Sequence, residues 1–349
     1  MLYSLPIAQP RGVKECLVSS IENERPMWDL IISVLGGLIL FLYAISRVSE
    51  VLQDAVGEGA QKWLLRFTAN AFTGILTGIV VTMLLGSSSA VIILAIVLVN
   101  AKMLTFRQTM GIVLGANIGT TMNSQLIALN LGQYAPLLML VGFLMAFLRL
   151  PEPYQRGGKV VLYLGMLFFG LFTIEKAVEP IREEPYVLHI LARIESPLFG
   201  AMVGALVTFV IQSSSATVGM AIILAKKGLL GLSGGIAVML GAELGTCSDT
   251  LLATINGSRQ AVKTGLFHLL FNLLSIALGL LFFEPFLGLV ASIGRNLPVE
   301  RSVANAHLLF NIGGVVLLGG FFPFFEQLLN RLIPEKNQPE SRTLIQTKQ

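Results

Sequence analysis

The sequence has 349 residues, of which 24 are basic and 20 acidic, so charged side chains make up only 13% of the chain. Hydrophobic residues reach 54%, and the mean hydropathy is +0.77. A soluble domain usually carries about 25% charged residues, and this composition therefore excludes a soluble fold. The net charge of +4 is too small and too scattered for a nucleic-acid surface. Cys16 and Cys247 give neither a disulfide framework nor metal-ligand spacing.

Long stretches of the chain carry no charged residue, and a membrane helix needs about 20 predominantly apolar residues. The sequence therefore predicts an all-α polytopic membrane protein with about seven full transmembrane helices. The first begins at Trp28, after a polar N-terminal segment over 1–27. Residues 334–349 are predicted to form a disordered tail. Further crossings are predicted near 107–130, 134–150, 159–178, 231–256, 262–286 and 303–331.

Two uncharged segments are too long for one crossing and short for two. They cover 68–101 and 196–226, with Ser87-Ser88-Ser89 and Ser213-Ser214-Ser215 in their middles. A serine cluster at the centre of a bilayer must face protein or water. We interpret each segment as a re-entrant helical hairpin with a serine-rich tip. The alternative is one long tilted helix whose serines bond to the preceding turn.

An internal repeat relates these two segments. Shifting the sequence by 126 positions aligns the serine clusters and also aligns Gly115–Thr120 with Gly241–Thr246. The sequence predicts repeat 1 over 28–150 and repeat 2 over 159–286, followed by a final transmembrane helix over 303–331. Three predicted crossings separate the hairpins, so the second would enter from the opposite face. Inverted repeats with discontinuous helices are typical of secondary transporters.

The serine tips are candidate anion sites. Each second half-helix begins within the serine run, where free backbone N–H groups and the helix dipole favour an anion. The hydroxyls add further neutral donors, which suit a tetrahedral oxyanion that must bind and then leave. The alternative is that small serines only allow close helix packing. The candidate residues are Ser87, Ser88, Ser89, Ser213, Ser214 and Ser215.

The aligned glycine motifs are candidate cation sites. Two glycines four residues apart either permit close packing or mark unwinding of a membrane helix. Unwound carbonyls together with side-chain oxygens would suit a hard monovalent cation such as sodium. The candidate ligands are Asn117, Thr120 and Thr121 in repeat 1, and Glu243, Thr246 and Asp249 in repeat 2.

Glu243 and Asp249 make the two halves electrically unequal, because repeat 1 has Asn117 and Asn123 at the same positions. An ionisable residue within the membrane is a functional candidate by default. We interpret Glu243 as a cation ligand or a proton acceptor, and a local ion pair is the structural alternative.

A second pair of motifs places His and Asn four residues apart, at His268–Asn272 and at His307–Asn311. This spacing puts both side chains on one helix face, and interhelical hydrogen bonds are favoured over ligand binding. No G-x-S-x-G elbow surrounds Ser87. The sequence therefore argues against an enzyme.

Together, the serine, glycine–threonine and His-Leu-Leu-Phe-Asn motifs resemble the type II sodium/phosphate cotransporter family, in a bacterial branch without the C-terminal regulatory domain. The resemblance implies sodium-coupled transport of inorganic phosphate and a Gln-Ser-Ser-Ser motif in each hairpin. Gln212 to Ser215 match that motif and add Gln212 to the implied phosphate site. Gly86 stands where the family has glutamine, and Glu243 stands where asparagine is common.

The expected function is therefore secondary active transport of inorganic phosphate coupled to sodium, with phosphate held between the two tips. We expect no cofactor, with sodium as the coupling ion. Beyond phosphate and sodium, we expect contact with the lipid bilayer and none with nucleic acid, and a homo-oligomer stays open. One alternative is proton-linked transport or export of phosphate or a related oxyanion, and another is a non-transporting membrane sensor or scaffold. We expect a multi-pass protein of the cell (inner) membrane with a cytoplasmic C-terminus, from the distribution of Lys and Arg.

Overall fold

The computed structural model describes residues 27–129, 131–179 and 185–334, and all regular structure in that part of the chain is helical. The predicted polar segment over 1–27 and the predicted tail over 334–349 lie outside the described residues, except for Met27 and Pro334. A short 3₁₀ turn covers Gly132–Tyr134. The helices are α1 (Met27–Phe67), α2 (Ala71–Leu85), α3 (Ser88–Asn100), α4 (Phe106–Ile127), α5 (Ala135–Phe147), α6 (Glu152–Val178), α7 (Pro185–Ile194), α8 (Pro197–Ile211), α9 (Ser214–Lys226), α10 (Leu232–Gly245), α11 (Cys247–Leu252), α12 (Arg259–Leu281), α13 (Phe283–Ile293), α14 (Val299–Gly319) and α15 (Phe322–Leu332).

The predicted class, a polytopic all-α membrane protein, is confirmed. Within the described residues, four helices are long and apolar enough to cross a membrane: Asp29–Ala55, Glu152–Val178, Arg259–Leu281 and Val299–Gly319. Two helix pairs bent by 71° and 99° raise that number to six if each pair is one span. This is fewer than the roughly seven crossings predicted. The predicted crossing over 231–256 accounts for part of the difference, because α10 has only 14 residues and the helix breaks at Thr246.

Neither serine-containing segment is one continuous helix. In repeat 1 the chain breaks between α2 and α3, and in repeat 2 it breaks between α8 and α9. Each of these helices has 13 or 15 residues, too few for a full span. The two halves of the fold therefore each contain a pair of half-length helices that meet at a serine tip.

Helix pairing follows the sequence repeat. The first helix of each pair packs along the glycine-motif helix of its own repeat, α2 on α4 and α8 on α10. Outside these pairs, α1 packs along α6, and α5 also packs on α6. Helices α12 and α14 contact both α4 and α10, so they connect the glycine-motif helices of the two repeats. Buried apolar side chains form two large clusters, one of which includes Phe41 and the other Phe267.

The repeated glycines lie where these helices touch. A methyl group on Gly115 would collide with the carbonyl oxygen of Ile75, and one on Gly241 would collide with that of Ala201. Helix α4 continues through its glycine motif, so repeat 1 has close packing there and not the unwinding that the sequence left open. In repeat 2 the break comes only at Thr246, the last residue of the motif.

We expect Gly115→Ala and Gly241→Ala each to destabilise the protein, because the new methyl group meets backbone that cannot move aside alone. Overpacking of this kind costs about 1–3 kcal/mol. The midpoint of thermal unfolding of detergent-solubilised protein measures the effect. Gly36→Ala is the matched control in a membrane helix, since nothing lies within 4 Å of its added methyl group. Equal midpoints for all three variants would contradict the packing role.

Candidate functional site

Both serine tips have the same local structure. The residue before each first serine adopts a left-handed conformation, with φ of 65° at Gly86 and 58° at Gln212. This conformation carries no penalty for glycine, but it costs about 1–2 kcal/mol for a residue with a side chain. Strain of this kind clusters at functional sites. Gln212 therefore holds a turn that Gly86 forms freely.

The first serine of each tip caps the following helix. The Ser87 hydroxyl accepts a hydrogen bond from the backbone N–H of Ala90 at 3.2 Å, and the Ser213 hydroxyl accepts one from Ala216 at 3.3 Å. The N-termini of α3 and α9 therefore begin within the serine runs, as the sequence predicts. The remaining N–H groups of these first turns and the positive ends of both helix dipoles lie at the tips.

One cavity of about 250 Å³ lies between the tips. It is lined by all seven residues predicted to bind the substrate, and by two of the six predicted to bind a cation, Thr120 and Thr246. The full set of lining residues is Ile45, Ser46, Ser49, Glu50, Gln53, Gly86, Ser87, Ser88, Ser89, Thr120, Gln212, Ser213, Ser214, Ser215 and Thr246.

Helix α1 supplies one wall of this cavity, which the sequence analysis missed. Ser46, Ser49, Glu50 and Gln53 repeat at spacings of three and four residues, so they share one helix face. This polar stripe is the signal that was available. It lies in the second half of α1, which has 41 residues and extends well beyond the length of one apolar crossing that begins at Trp28.

The cavity is polar but carries little charge. Among its described lining residues, Glu50 alone is charged, and its carboxylate pairs with Arg47 at 2.5 Å. Hydroxyls, amide groups and helix N-termini provide the other polar contacts. Neutral donors of this kind stabilise an oxyanion without the tight, charge-assisted contacts that arginine forms. Such a site suits an anion that has to be released again.

At each tip, a serine of one repeat lies beside a threonine of the other repeat. The Ser89 hydroxyl of repeat 1 lies 3.5 Å from the Thr246 hydroxyl of repeat 2. The Ser215 hydroxyl of repeat 2 lies 3.4 Å from the Thr120 hydroxyl of repeat 1. Each tip is therefore completed by the threonine of the opposite repeat. The sequence alignment paired Thr120 with Thr246 but did not predict this exchange.

The other predicted cation ligands lie away from the cavity lining. Asn117 donates through Nδ2 to Oδ1 of Asn272 at 2.7 Å, and the Thr121 hydroxyl donates to the Ile118 carbonyl at 2.7 Å. The Asp249 carboxylate accepts the backbone N–H of Thr250 at 2.6 Å. Asp249 also interacts with Ser89 of the opposite tip, which lines the cavity.

Glu243 has a partner that the sequence analysis missed. Its Oε1 lies 2.7 Å from Nε2 of His307, and both side chains are buried. Nδ1 of His307 lies 2.7 Å from the Ser124 hydroxyl. Proximity in sequence does not indicate this partner, because His307 comes from α14, 64 residues after Glu243.

The two His-Asn motifs form interhelical contacts, as predicted. Nδ1 of His268 lies 2.8 Å from the Thr250 hydroxyl, and Asn272 donates to the Glu243 carbonyl at 2.9 Å. The contacts also follow the repeat, because Thr250 and Ser124 are 126 positions apart. The motifs on α12 and α14 thus connect to equivalent places in the two halves.

Comparison with known proteins agrees with this geometry. The chain is 29% identical over 308 residues to the uncharacterized protein YqeW of Bacillus subtilis, covering 88% of this chain and 99% of YqeW. It is 26% identical over 322 residues to YjbB of Salmonella typhimurium, named as an inorganic phosphate export protein, covering 91% of this chain and 58% of YjbB. The human sodium-dependent phosphate transport protein 2B is 31% identical over 139 residues, covering 36% of this chain and 19% of that protein. No solved structure matches the chain.

A family model described as Na+/Pi-cotransporter matches residues 40–176 and 184–296. These ranges include both serine tips, both glycine motifs and the first His-Asn motif. Its members are phosphate transporters and not enzymes. The chain belongs to the Na+/Pi-cotransporter family.

Proposed function

We propose that the protein is a secondary active transporter that moves inorganic phosphate, coupled to sodium, with phosphate held between the two serine tips. The observation that carries the proposal is the single cavity that both tips line. Two helix N-termini and six serine hydroxyls converge there, one set from each repeat. A tetrahedral oxyanion matches donors that approach from two sides.

Sodium coupling rests on the charge of the site. A phosphate anion in the cavity would lie near Glu50 and behind it Asp249, and like charges repel strongly away from water. A cation that enters with the substrate offsets this repulsion. The hydroxyls of Thr120 and Thr246, with the carboxylate of Asp249, are the predicted ligands that lie closest to the cavity. Sodium binding by Asn117, Thr121 and Glu243 stays a prediction.

Uptake of radiolabelled phosphate into proteoliposomes that contain the purified protein tests this function. We expect uptake only when a sodium gradient is imposed, and no uptake when potassium replaces sodium. Uptake that follows a proton gradient and ignores sodium would favour proton-linked transport. Efflux from phosphate-loaded vesicles, measured in the same preparation, separates import from export. Vesicles without net phosphate movement in any condition would support a sensor or scaffold.

The proton-linked or exporting transporter is the second candidate. Two observations favour it: the buried contact between Glu243 and His307, which brings two ionisable groups to 2.7 Å, and the name of the Salmonella relative, which refers to phosphate export. In either case we propose a multi-pass protein of the cell membrane with its C-terminus in the cytoplasm.

We further propose that the repeats are inverted across the membrane. The turn after α3 and the turn after α9 are equivalent, and Lys102 and Gly228 occupy them with φ of 59° and 67°. Both residues are exposed. Lys102 also indicates that this turn accepts a side chain.

Single cysteines at Lys102 and Gly228, on a background in which Cys16 and Cys247 are replaced by alanine, should therefore react from opposite sides of the membrane. A membrane-impermeant maleimide applied to sealed and to opened vesicles measures this. Labelling of both positions from one side would contradict the inverted arrangement.

A further inference from the structure

The two serine tips have matching turns and matching contacts, so each position of repeat 1 has a counterpart in repeat 2. Positions 86, 89, 120 and 123 of repeat 1 correspond to 212, 215, 246 and 249 of repeat 2. Both turn residues are left-handed, and each third serine lies beside the threonine of the opposite repeat. Two of these four pairs differ chemically, Gly86 against Gln212 at the turn and Asn123 against Asp249 beside the tips.

In repeat 1, the Asn123 amide nitrogen lies between two oxygens. It donates to the carbonyl of Gly86 at 3.0 Å and to the hydroxyl of Ser215 at 3.0 Å. The carbonyl belongs to the first tip and the hydroxyl to the second. An NH₂ group with partial positive charge thus joins the two tips on this side of the cavity.

In repeat 2, the equivalent side chain has no hydrogen to donate when it is ionised. The counterparts of those two oxygens are the carbonyl of Gln212 and the hydroxyl of Ser89. Ser89 interacts with the carboxylate of Asp249, and the Gln212 carbonyl accepts no hydrogen bond from the described part of the chain. By the repeat, a carbonyl, a hydroxyl and a carboxylate in repeat 2 correspond to the carbonyl, hydroxyl and amide of repeat 1. Oxygen donors that include one carboxylate are the ligands that hard cations prefer.

We propose that the Asn123 amide takes, in repeat 1, the position that a sodium ion takes in repeat 2, so that the pair of tips binds one cation at this layer and not two. This inference rests on the proposed sodium-coupled function and concerns how many ions that function uses. Asn123 is then a determinant of stoichiometry: its NH₂ group holds the two tips together without an ion. Asp249 needs an ion for the same purpose.

Exchanging the residues at positions 123 and 249 should therefore move the cation position from one repeat to the other. Asn123→Asp removes the NH₂ group and supplies a carboxylate between the same two oxygens, which creates a second cation position. Asp249→Asn supplies an amide in repeat 2 and removes the first. The double variant, Asn123→Asp with Asp249→Asn, moves the single position to the other side of the cavity while it keeps the net charge of the protein.

Sodium-dependent thermal stabilisation of the purified protein in detergent tests this without requiring transport. The slope of stability against the logarithm of sodium concentration counts the ions bound. We expect about one ion in the wild type, about two in Asn123→Asp, and about one again in the double variant. In Asp249→Asn the slope should fall to about zero, since this variant removes the one cation position. Asn123→Thr, which removes the amide without adding charge, is the control and should keep the wild-type slope.

The outcomes separate the two proposals. A wild-type slope that Asn123→Asp leaves unchanged, with a double variant no better than Asp249→Asn, overturns the role of Asn123 alone. A wild type whose stability and phosphate uptake both ignore sodium overturns the sodium coupling and this inference with it. If Asn123→Asp does not fold, the charge-conserving double variant decides: recovered sodium stabilisation supports the exchange, and its absence overturns it.

Discussion

Replacing the middle serine of either tip with alanine should weaken phosphate binding by about 1–3 kcal/mol, the usual consequence of removing one partner of a buried polar contact. That corresponds to a loss of affinity of about 5- to 150-fold. Ser88 and Ser214 are 6% and 4% exposed and both line the cavity. Neither hydroxyl has a hydrogen-bond partner among the described residues. Their contacts are therefore available to a bound anion, and Ser88→Ala and Ser214→Ala should lose similar amounts of affinity.

The first serine of each tip provides the matched comparison. Ser87 and Ser213 also line the cavity, but their hydroxyls cap α3 and α9. Their alanine variants should lose about 0.5–2 kcal/mol of stability through the missing cap, in addition to any loss of phosphate affinity. Isothermal titration with phosphate and thermal unfolding without phosphate separate these two effects. Normal phosphate affinity in all four variants would remove the tips from the binding site.

The tips were predictable because their signals are local. Gly86 before a serine run, and the same run 126 positions later, indicate a helix break and a repeat without any knowledge of packing. The conclusion that the two tips share one cavity required only the symmetry argument. By contrast, the exchange of Ser89 and Ser215 between repeats depends on how the halves approach each other, and the sequence carries no local mark of it.

The polar wall that α1 contributes to the cavity is a second feature that the sequence alone did not predict. Ser46, Ser49 and Glu50 lie in a helix whose first part is strongly apolar, so the hydropathy averaged over a window of the sequence conceals the polar face.

The partner of Glu243 is a third feature that the sequence alone does not specify. His307 belongs to a motif that correctly predicted interhelical contacts, but a motif does not specify which helix it meets. Packing of α14 between α4 and α10 decides that.

The largest loss of stability is expected for His307→Leu. Glu243 is 1% exposed, and the imidazole of His307 is the contact that satisfies its carboxylate oxygen Oε1. Leaving a buried polar group without its hydrogen-bond partner costs about 1–3 kcal/mol, and more when that group carries a charge, as an ionised Glu243 does. Thermal unfolding in detergent, at saturating and at zero sodium, measures it.

His268→Leu is the matched control, since it removes the histidine of the other motif. His268 is equally buried but contacts the neutral hydroxyl of Thr250, so its loss should cost only about 1–3 kcal/mol. Equal destabilisation by His307→Leu and His268→Leu would show that the carboxylate in the first contact adds nothing, and that both histidines matter only as hydrogen-bonding groups.

Glu243→Gln then separates pairing from coupling. The glutamine side chain has both an oxygen and an NH₂ group and can form a hydrogen bond with Nε2 of His307 in either tautomer, so most of the stability should remain while the ionisable group is lost. A sodium ligand at Glu243 would make this variant need more sodium for half-maximal phosphate uptake. A proton carrier would make it lose pH dependence while it keeps its sodium response. Glu243 contacts His307 and is absent from the cavity lining, so we expect a stability near that of the wild type, and the sodium and pH responses then decide between the two roles. Unchanged sodium, pH and voltage dependence would leave Glu243 and His307 as a purely structural link between α10 and α14.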